Sequence, residues 1–295
     1  MKALVIAERS TAAVELAAGA RRMADQVVLV TFGKVPSQPA ADKVLNITVE
    51  EGYTLDNAAE TVISVFESET PDCVLVEPTR HMKVIAGRLA AHAGVSVVTD
   101  VIEFGEQGAK SLYFGGIAER VVKPCGSVSI YTVASGTFAE AAGQGANVVE
   151  EVSWVAPANP IKLVSSTPIQ KSGVDLIKAP AVVAAGRGFT EESQLDWANE
   201  LASKLGGGVA CSRPLTEGVN WLPQELYVGV SGLMLTPKAY VAIGISGQMQ
   251  HMVGCNRSEK VFAINKDKGA PIFNQCDYGL VGDIKDILPA INAAL

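Results

Sequence analysis

Short apolar runs recur along the first half of the chain, at Ala3 to Ala7, Gln26 to Thr31, Val44 to Val49, Cys73 to Val76 and Val95 to Val98. Runs this short and this rich in β-branched residues predict strands buried on both faces. Between them the apolar period changes. Leu55, Ala58, Ala59, Val62, Ile63 and Phe66 repeat at three- and four-residue spacing, as do Val84, Ile85, Leu89 and Ala90, so each segment predicts a helix with one apolar face. Strand, helix, strand in this rhythm implies a mostly parallel sheet covered on both sides. From Ser111 to Val133 the helical spacing disappears. Ser111 to Phe114, Arg120 to Lys123 and Ser127 to Val133 read as successive strands, hence an antiparallel edge to that sheet.

A stretch holding Pro157, Pro160, Pro168 and Pro180, with Ser165, Ser166 and Thr167 among them, predicts a domain boundary near residue 170. After it the alternation resumes: strand Ala181 to Ala185, helix Glu191 to Leu205, strands Gly208 to Cys211, Ala239 to Ile245 and Val261 to Ile264, and helix Asp283 to Ala294. The expected fold class is therefore α/β, with two doubly wound, mostly parallel sheet domains at 1–170 and 171–295.

Composition narrows the functions open to such a fold. A net charge of -7 without a Lys/Arg run gives nothing to attract a nucleic-acid backbone. The longest apolar stretches fall far short of the roughly 20 residues that cross a bilayer. The five cysteines are scattered, with no C-x-x-C pair, which argues against a disulfide framework and against zinc. With a strand at the start in place of a signal segment, a cytoplasmic protein is expected.

Candidate chemistry gathers at strand ends of the second half. Gly186-Arg187-Gly188 follows a buried strand at the sheet edge where ligands of open α/β sheets bind. The glycines permit close backbone approach and the arginine can clamp a phosphate. It is not a G-x-G-x-x-G fingerprint, and a glycine turn with a solvated arginine explains it as well. At Ser212-Arg213 the hydroxyl could donate to a phosphate and the guanidinium could lie against a planar ring, or both could sit in a surface turn. The strand Ala239 to Ile245 runs into Ser246-Gly247-Gln248-Met249-Gln250-His251, where a helix is expected to start at Ser246-Gly247 and offer an anion site, with His251 one turn inside it. No second ligand stands at metal spacing around His251. Asn265 closes a strand where its amide can read a base or ribose, and Asp283 can cap the last helix.

In this order the motifs resemble the alpha subunit of electron-transfer flavoproteins. Gly186-Arg187-Gly188, Ser212-Arg213, Val228-Gly229-Val230-Ser231-Gly232, Ser246 to His251, Ala263 to Asp267 and Ala270 to Asp283 stand where that family has G-R-G, S-R, V-G-Q-T/S-G, S-G-x-x-Q-H, A-I-N-K-D and A-P-I-F through A-D-Y-G-x-V-G-D. The resemblance covers nearly all of 180–290. Tyr113 to Gly116 and Ser135 to Phe138 extend it more weakly into the first half. It implies a Rossmann-like C-terminal domain that binds FAD, and a heterodimer with a beta subunit that commonly holds AMP. It also implies redox partners of the acyl-CoA dehydrogenase type or linked to quinone or ferredoxin, and no catalytic residue of the chain's own.

Carried over by position, Arg187 and Ser212 would contact phosphate, Arg213 would lie by the isoalloxazine and raise its first potential, and Ser231 would face N5. Gln250 and His251 would reach the ring, His251 near O2, and Asn265 and Asp283 would hold the adenosine end. Gly186, Gly188, Val228, Gly229, Val230, Ser246, Gly247, Gln248, Met249 and Ile284 complete the expected site. Val230 and Leu233 replace the family's Gln and Lys, and Pro214 follows Ser212-Arg213; these departures resemble the Fix-type branch. Two other readings compete: a nicotinamide-dependent dehydrogenase, on the strength of the two doubly wound sheets, and a non-redox nucleotide-binding scaffold.

Overall fold

The computed structural model describes residues 1–116, 118–138, 145, 148–167 and 173–295. The chain divides into two compact units, Met1–Tyr113 with Ala118–Pro168, and Phe114–Ile117 with Ile169–Leu295. The boundary expected near residue 170 lies outside the described residues, and the Gly115-Gly116 segment groups with the second unit.

In the first unit the strands are β1 (Lys2–Ile6), β2 (Gln26–Phe32), β3 (Lys43–Ile47), β4 (Cys73–Val76), β5 (Val97–Gly105), β6 (Gly108–Tyr113), β7 (Ala118–Val122), β8 (Ser129–Val133) and β9 (Val148–Val152). They form one sheet in the order β7-β6-β5-β8-β4-β1-β2-β3-β9. The strands from β5 to β9 in that order run parallel, while β6 and β7 form an antiparallel edge. The edge expected from Ser111 onward is thus present, but its third strand is not part of it. β8 is threaded between β4 and β5, parallel to both, because Ile130 and Val133 are apolar enough to be fully buried there. β9 was not legible, its Val-Val-Glu-Glu-Val being exposed at the opposite edge.

Helices cover both faces of this sheet. Leu4, Ile6, Val28 and Val30 face α2 (Ala59–Glu69) and α3 (Arg80–Ala93), while Ala3, Val5, Val27 and Leu29 face α1 (Ser10–Arg21). The alternation of a strand's side chains between faces makes this division, residue by residue.

The second unit holds β10 (Ala181–Ala185), β11 (Gly208–Cys211), β12 (Ala239–Ile243), β13 (Lys260–Asn265) and β14 (Tyr278–Val281), all parallel, in the order β11-β10-β12-β13-β14. Val183, Ala185, Val241 and Ile243 pack on α4 (Leu195–Lys204) and on a C-terminal helix, Ile284–Ala294, which Asp283 caps by accepting from the Lys285 N–H at 3.0 Å. Val182, Ala184, Tyr240 and Ala242 face the other way, onto Leu176, Val228, Leu235, Met252 and Ile272, which are mostly in irregular chain. In chain order the strands stand 2-1-3-4-5, so successive connections leave β10 and β12 in opposite directions and open a crevice at their carboxyl ends.

Candidate functional site

A cleft of about 810 Å³ lies at that crevice, lined from four strand ends. Arg187 and Gly188 follow β10, Ser212 and Arg213 follow β11, Ser246, Gln248, Gln250 and His251 follow β12, and Asn265 ends β13. Val230 and Ser231 enter from the loop after β11. A smaller recess of about 250 Å³ shares Gly188, Gly244 and Asn265 with the cleft and is closed by Asp283 and Ile284. Gly186, Val228, Gly229, Gly247 and Met249 do not line the cleft, and Val228 is fully buried in the core beneath it.

The glycines around Arg187 serve the chain before they serve a ligand. Gly186 N–H donates to the Ile243 carbonyl at 2.8 Å and Gly188 N–H to the Gly244 carbonyl at 2.9 Å, joining the turns after β10 and β12. A Cβ on Gly188 would stand 2.6 Å from Gly244 Cα, and one on Gly186 would overlap the Gly244 carbonyl. Gly244 itself has φ +63, which an L side chain tolerates poorly. The crevice floor is therefore two backbones in contact.

The segment after β12 departs from expectation. Ser246, Gly247 and Gln248 are not helical; a single turn, Met249–Met252, starts after them, and His251 is its third residue. Gly247, at φ +84, is pinned because a Cβ would overlap Ile272. No long helix points its amino end at the cleft there.

The two arginines differ in electrostatic state. Arg187 is exposed and has no carboxylate partner among the described residues. Arg213 opens onto a π-helical turn, Pro214–Gly218, and its Nε pairs with Glu217 at 2.6 Å. Glu217 thereby becomes part of the cleft wall. It was missed in the sequence although it stands four residues after Arg213, the spacing at which helical charges meet. Leu233 turns inward to pack on the core, whereas Val230 is exposed in the cleft. Tyr227 is a further residue missed, its hydroxyl 3.5 Å from Ser231 Oγ.

His251 is only 7% exposed, and burial pushes its imidazole down to about 4 against a smaller opposing pull from the Val228 backbone. Its Nε2 lies 2.9 Å from the hydroxyl of the fully buried Tyr240. Depression of a histidine has a definite sign for stability. The unfolded chain takes up this proton near 6.5 and the folded chain only near 4, so stability falls as pH drops through that window and is regained above it. The span corresponds to about 3 kcal/mol at most. Urea unfolding at pH 4.5 and 7.5 is expected to show this loss in the wild type and to show a clearly smaller one in His251→Gln; an equal slope in both would place its origin elsewhere.

The matching edge of the first sheet is differently occupied. Glu77, fully buried just after β4, accepts from the backbone N–H of Glu8 at 2.8 Å and Arg9 at 3.0 Å and pairs with the Arg9 side chain. The donors that a ligand anion would use are held by the chain's own carboxylate. Among the described residues no cluster of His, Cys, Asp or Glu could hold a metal, and no helix is long and apolar enough to cross a membrane.

A parallel sheet with a ligand cleft at its switch point, walled by cations, amides and a buried histidine, defines a cofactor-binding α/β protein. Residues 175–256 match the electron transfer flavoprotein FAD-binding domain, and residues 3–158 match the electron transfer flavoprotein domain. Proteins named FixB from Escherichia coli O7:K1, Escherichia coli O157:H7 and Shigella dysenteriae serotype 1 are each 38% identical over 296 residues, covering 95% of this chain and 94% of theirs. A solved structure from Mycobacterium smegmatis, described as a thiamin diphosphate-dependent enzyme, is 12% identical with a TM-score of 0.25 over 98% of this chain and 54% of that one, too slight a likeness to bear on function. The chain belongs to the electron transfer flavoprotein family. It is an alpha-type subunit of the Fix type, a flavin-binding protein of a family in which alpha and beta subunits pair and exchange electrons with redox partners.

Proposed function

We propose that the cleft after β10, β11, β12 and β13 holds FAD and that the residues converging there divide its parts among them. The observation that carries this is the meeting of Arg187, Ser212, Arg213, Ser231, His251 and Asn265 at one switch point. A flavin dinucleotide suits these groups. Among the described residues Arg187 is a cation without a carboxylate partner, Ser212 is a nearly buried hydroxyl, and the buried His251 Nδ1 completes no hydrogen bond of ordinary geometry. The recess toward Asp283 and Ile284 extends the cleft for an adenosine.

When bound, the flavin supplies the electron-carrying chemistry, and the protein tunes it. Arg187 and Ser212 bind the phosphates. Arg213, Ser231, Gln250 and His251 surround the ring, with Val230, Ser246 and Gln248 shaping the wall around it. Gly186, Gly188, Gly229 and Gly247 hold the backbone close, Val228 and Met249 support it from beneath, and Asn265, Asp283 and Ile284 take the adenosine end.

In this reading the first unit contacts the beta subunit, which holds AMP, and the assembled carrier serves a partner of the acyl-CoA dehydrogenase type or one linked to quinone or ferredoxin. Free, scattered cysteines suit the reducing cytoplasm. Co-expression with the beta subunit and a visible spectrum test the core of it. Stoichiometric absorbance near ~450 nm, a band common to oxidised flavins, is expected. A complex without it overturns the reading, and NAD(P)H turnover by the isolated chain would favour a dehydrogenase instead.

A further inference from the structure

Tyr240 is a polar residue in an otherwise aliphatic central strand, fully buried on β12. A hydroxyl in that position must find a partner. It has two: His251 Nε2 at 2.9 Å and the Cys255 thiol. The hydroxyl and the imidazole can pair in two ways. If Nε2–H donated to Tyr240, the tyrosyl proton would be left with a thiol, a weak acceptor, and Nδ1 would be a bare lone pair. If Tyr240 O–H donates to Nε2, the strong acceptor is satisfied and the imidazole proton moves to Nδ1. The Val228 backbone also acts on the ring in the sense that favours its holding a proton, as a carbonyl facing an N–H does.

We propose that Tyr240 is a positioning residue that fixes His251 as a neutral imidazole with its proton on Nδ1, so that the histidine at the cleft wall carries no charge. The choice of nitrogen follows from what the other one does. The neighbouring titratable groups bring no charge to the ring. Burial holds the Tyr240 hydroxyl well above its ordinary value, pushes the Cys255 thiol up to about 12, and keeps His251 itself neutral at ordinary pH. Resting on the flavin reading, the consequence is that His251 brings no formal charge to the ring, leaving Arg213 as the cation beside it.

The test is ¹⁵N NMR of the full chain labelled at histidine, from pH 5.5 to 8.5, alone and with the beta subunit. The chain has three histidines, and His251→Gln assigns the signal that disappears. The wild type is expected to show a non-titrating His251 with Nδ1 protonated, and Tyr240→Phe is expected to shift the tautomer ratio toward Nε2–H by about tenfold or more. A wild-type ring protonated on Nε2, or a tautomer unmoved in a folded Tyr240→Phe protein, overturns the proposal. Should Tyr240→Phe not fold, the wild-type tautomer decides alone. These signals are read with or without flavin, so their failure is distinct from failure of the complex to bind FAD.

Discussion

Gly244→Ala is expected to abolish flavin binding and to lower the stability of the second unit by about 2–5 kcal/mol. Two effects add. An alanine at φ +63 carries left-handed strain of about 1–2 kcal/mol. Its Cβ would also lie 2.7 Å from Gly188 Cα, a clash between two backbones that no rotamer relieves, and overpacking of this kind costs about 1–3 kcal/mol. The turns after β10 and β12 must then separate, carrying Arg187 and Ser246 away from each other at the mouth of the cleft. Gly206→Ala is the control. It has φ +65 with open space around the added methyl, just beyond α4, so it keeps the strain and not the clash. Flavin absorbance of the complex and urea midpoints for both variants separate the two effects. A Gly244→Ala complex with full flavin content would show that the crevice floor is not what shapes the site.

The second large effect concerns charge at the ring. A cation beside the flavin favours its anionic reduced form, yet Arg213 is held by Glu217 at 2.6 Å and is exposed, so the carboxylate and solvent both weaken its field. Arg213→Ala is expected to lower the first one-electron potential by about 59 mV, a tenfold change in the equilibrium. Glu217→Gln is expected to raise it, since it frees the same cation. Spectroelectrochemistry of the purified complexes reads both. Opposite shifts identify the pair as a tuning device; shifts of the same sign, or none, mean that the guanidinium does not act on the ring. Val230, exposed in the cleft where the family has a glutamine, leaves this pair with less competition from neighbouring polar groups.

Much of this was written in residue patterns. β10, β11 and β4 fall where their apolar runs stand, because a strand buried on both faces needs a short continuous run and little else can use one. The motifs after β10 through β13 were legible as residue types at strand ends, and the sheet brings them to one edge. Other features were not. The position of β8 between β4 and β5 depends on which neighbour buries it, and periodicity does not name a neighbour. The helix expected at Ser246 is one short turn because Gly247 is committed to a contact with Ile272, a residue 25 positions away in sequence. The partners of Arg213 and His251 were hidden too: Glu217 pairs only because a helical turn forms after Arg213, and Tyr240 is a core aromatic whose hydroxyl happens to meet the His251 ring.

By itself, then, the sequence determined the α/β class, the strand ends that carry chemistry and the family, since these rest on local periodicity and on ordered motifs. Tertiary structure alone decided that Gly186 and Gly188 face Gly244, that Arg213 is paired with Glu217, and that Tyr240 reaches His251. The glycine contacts join segments distant in the chain, which only packing selects, while the Arg213–Glu217 pair depends on a local helical turn that the residue pattern did not announce.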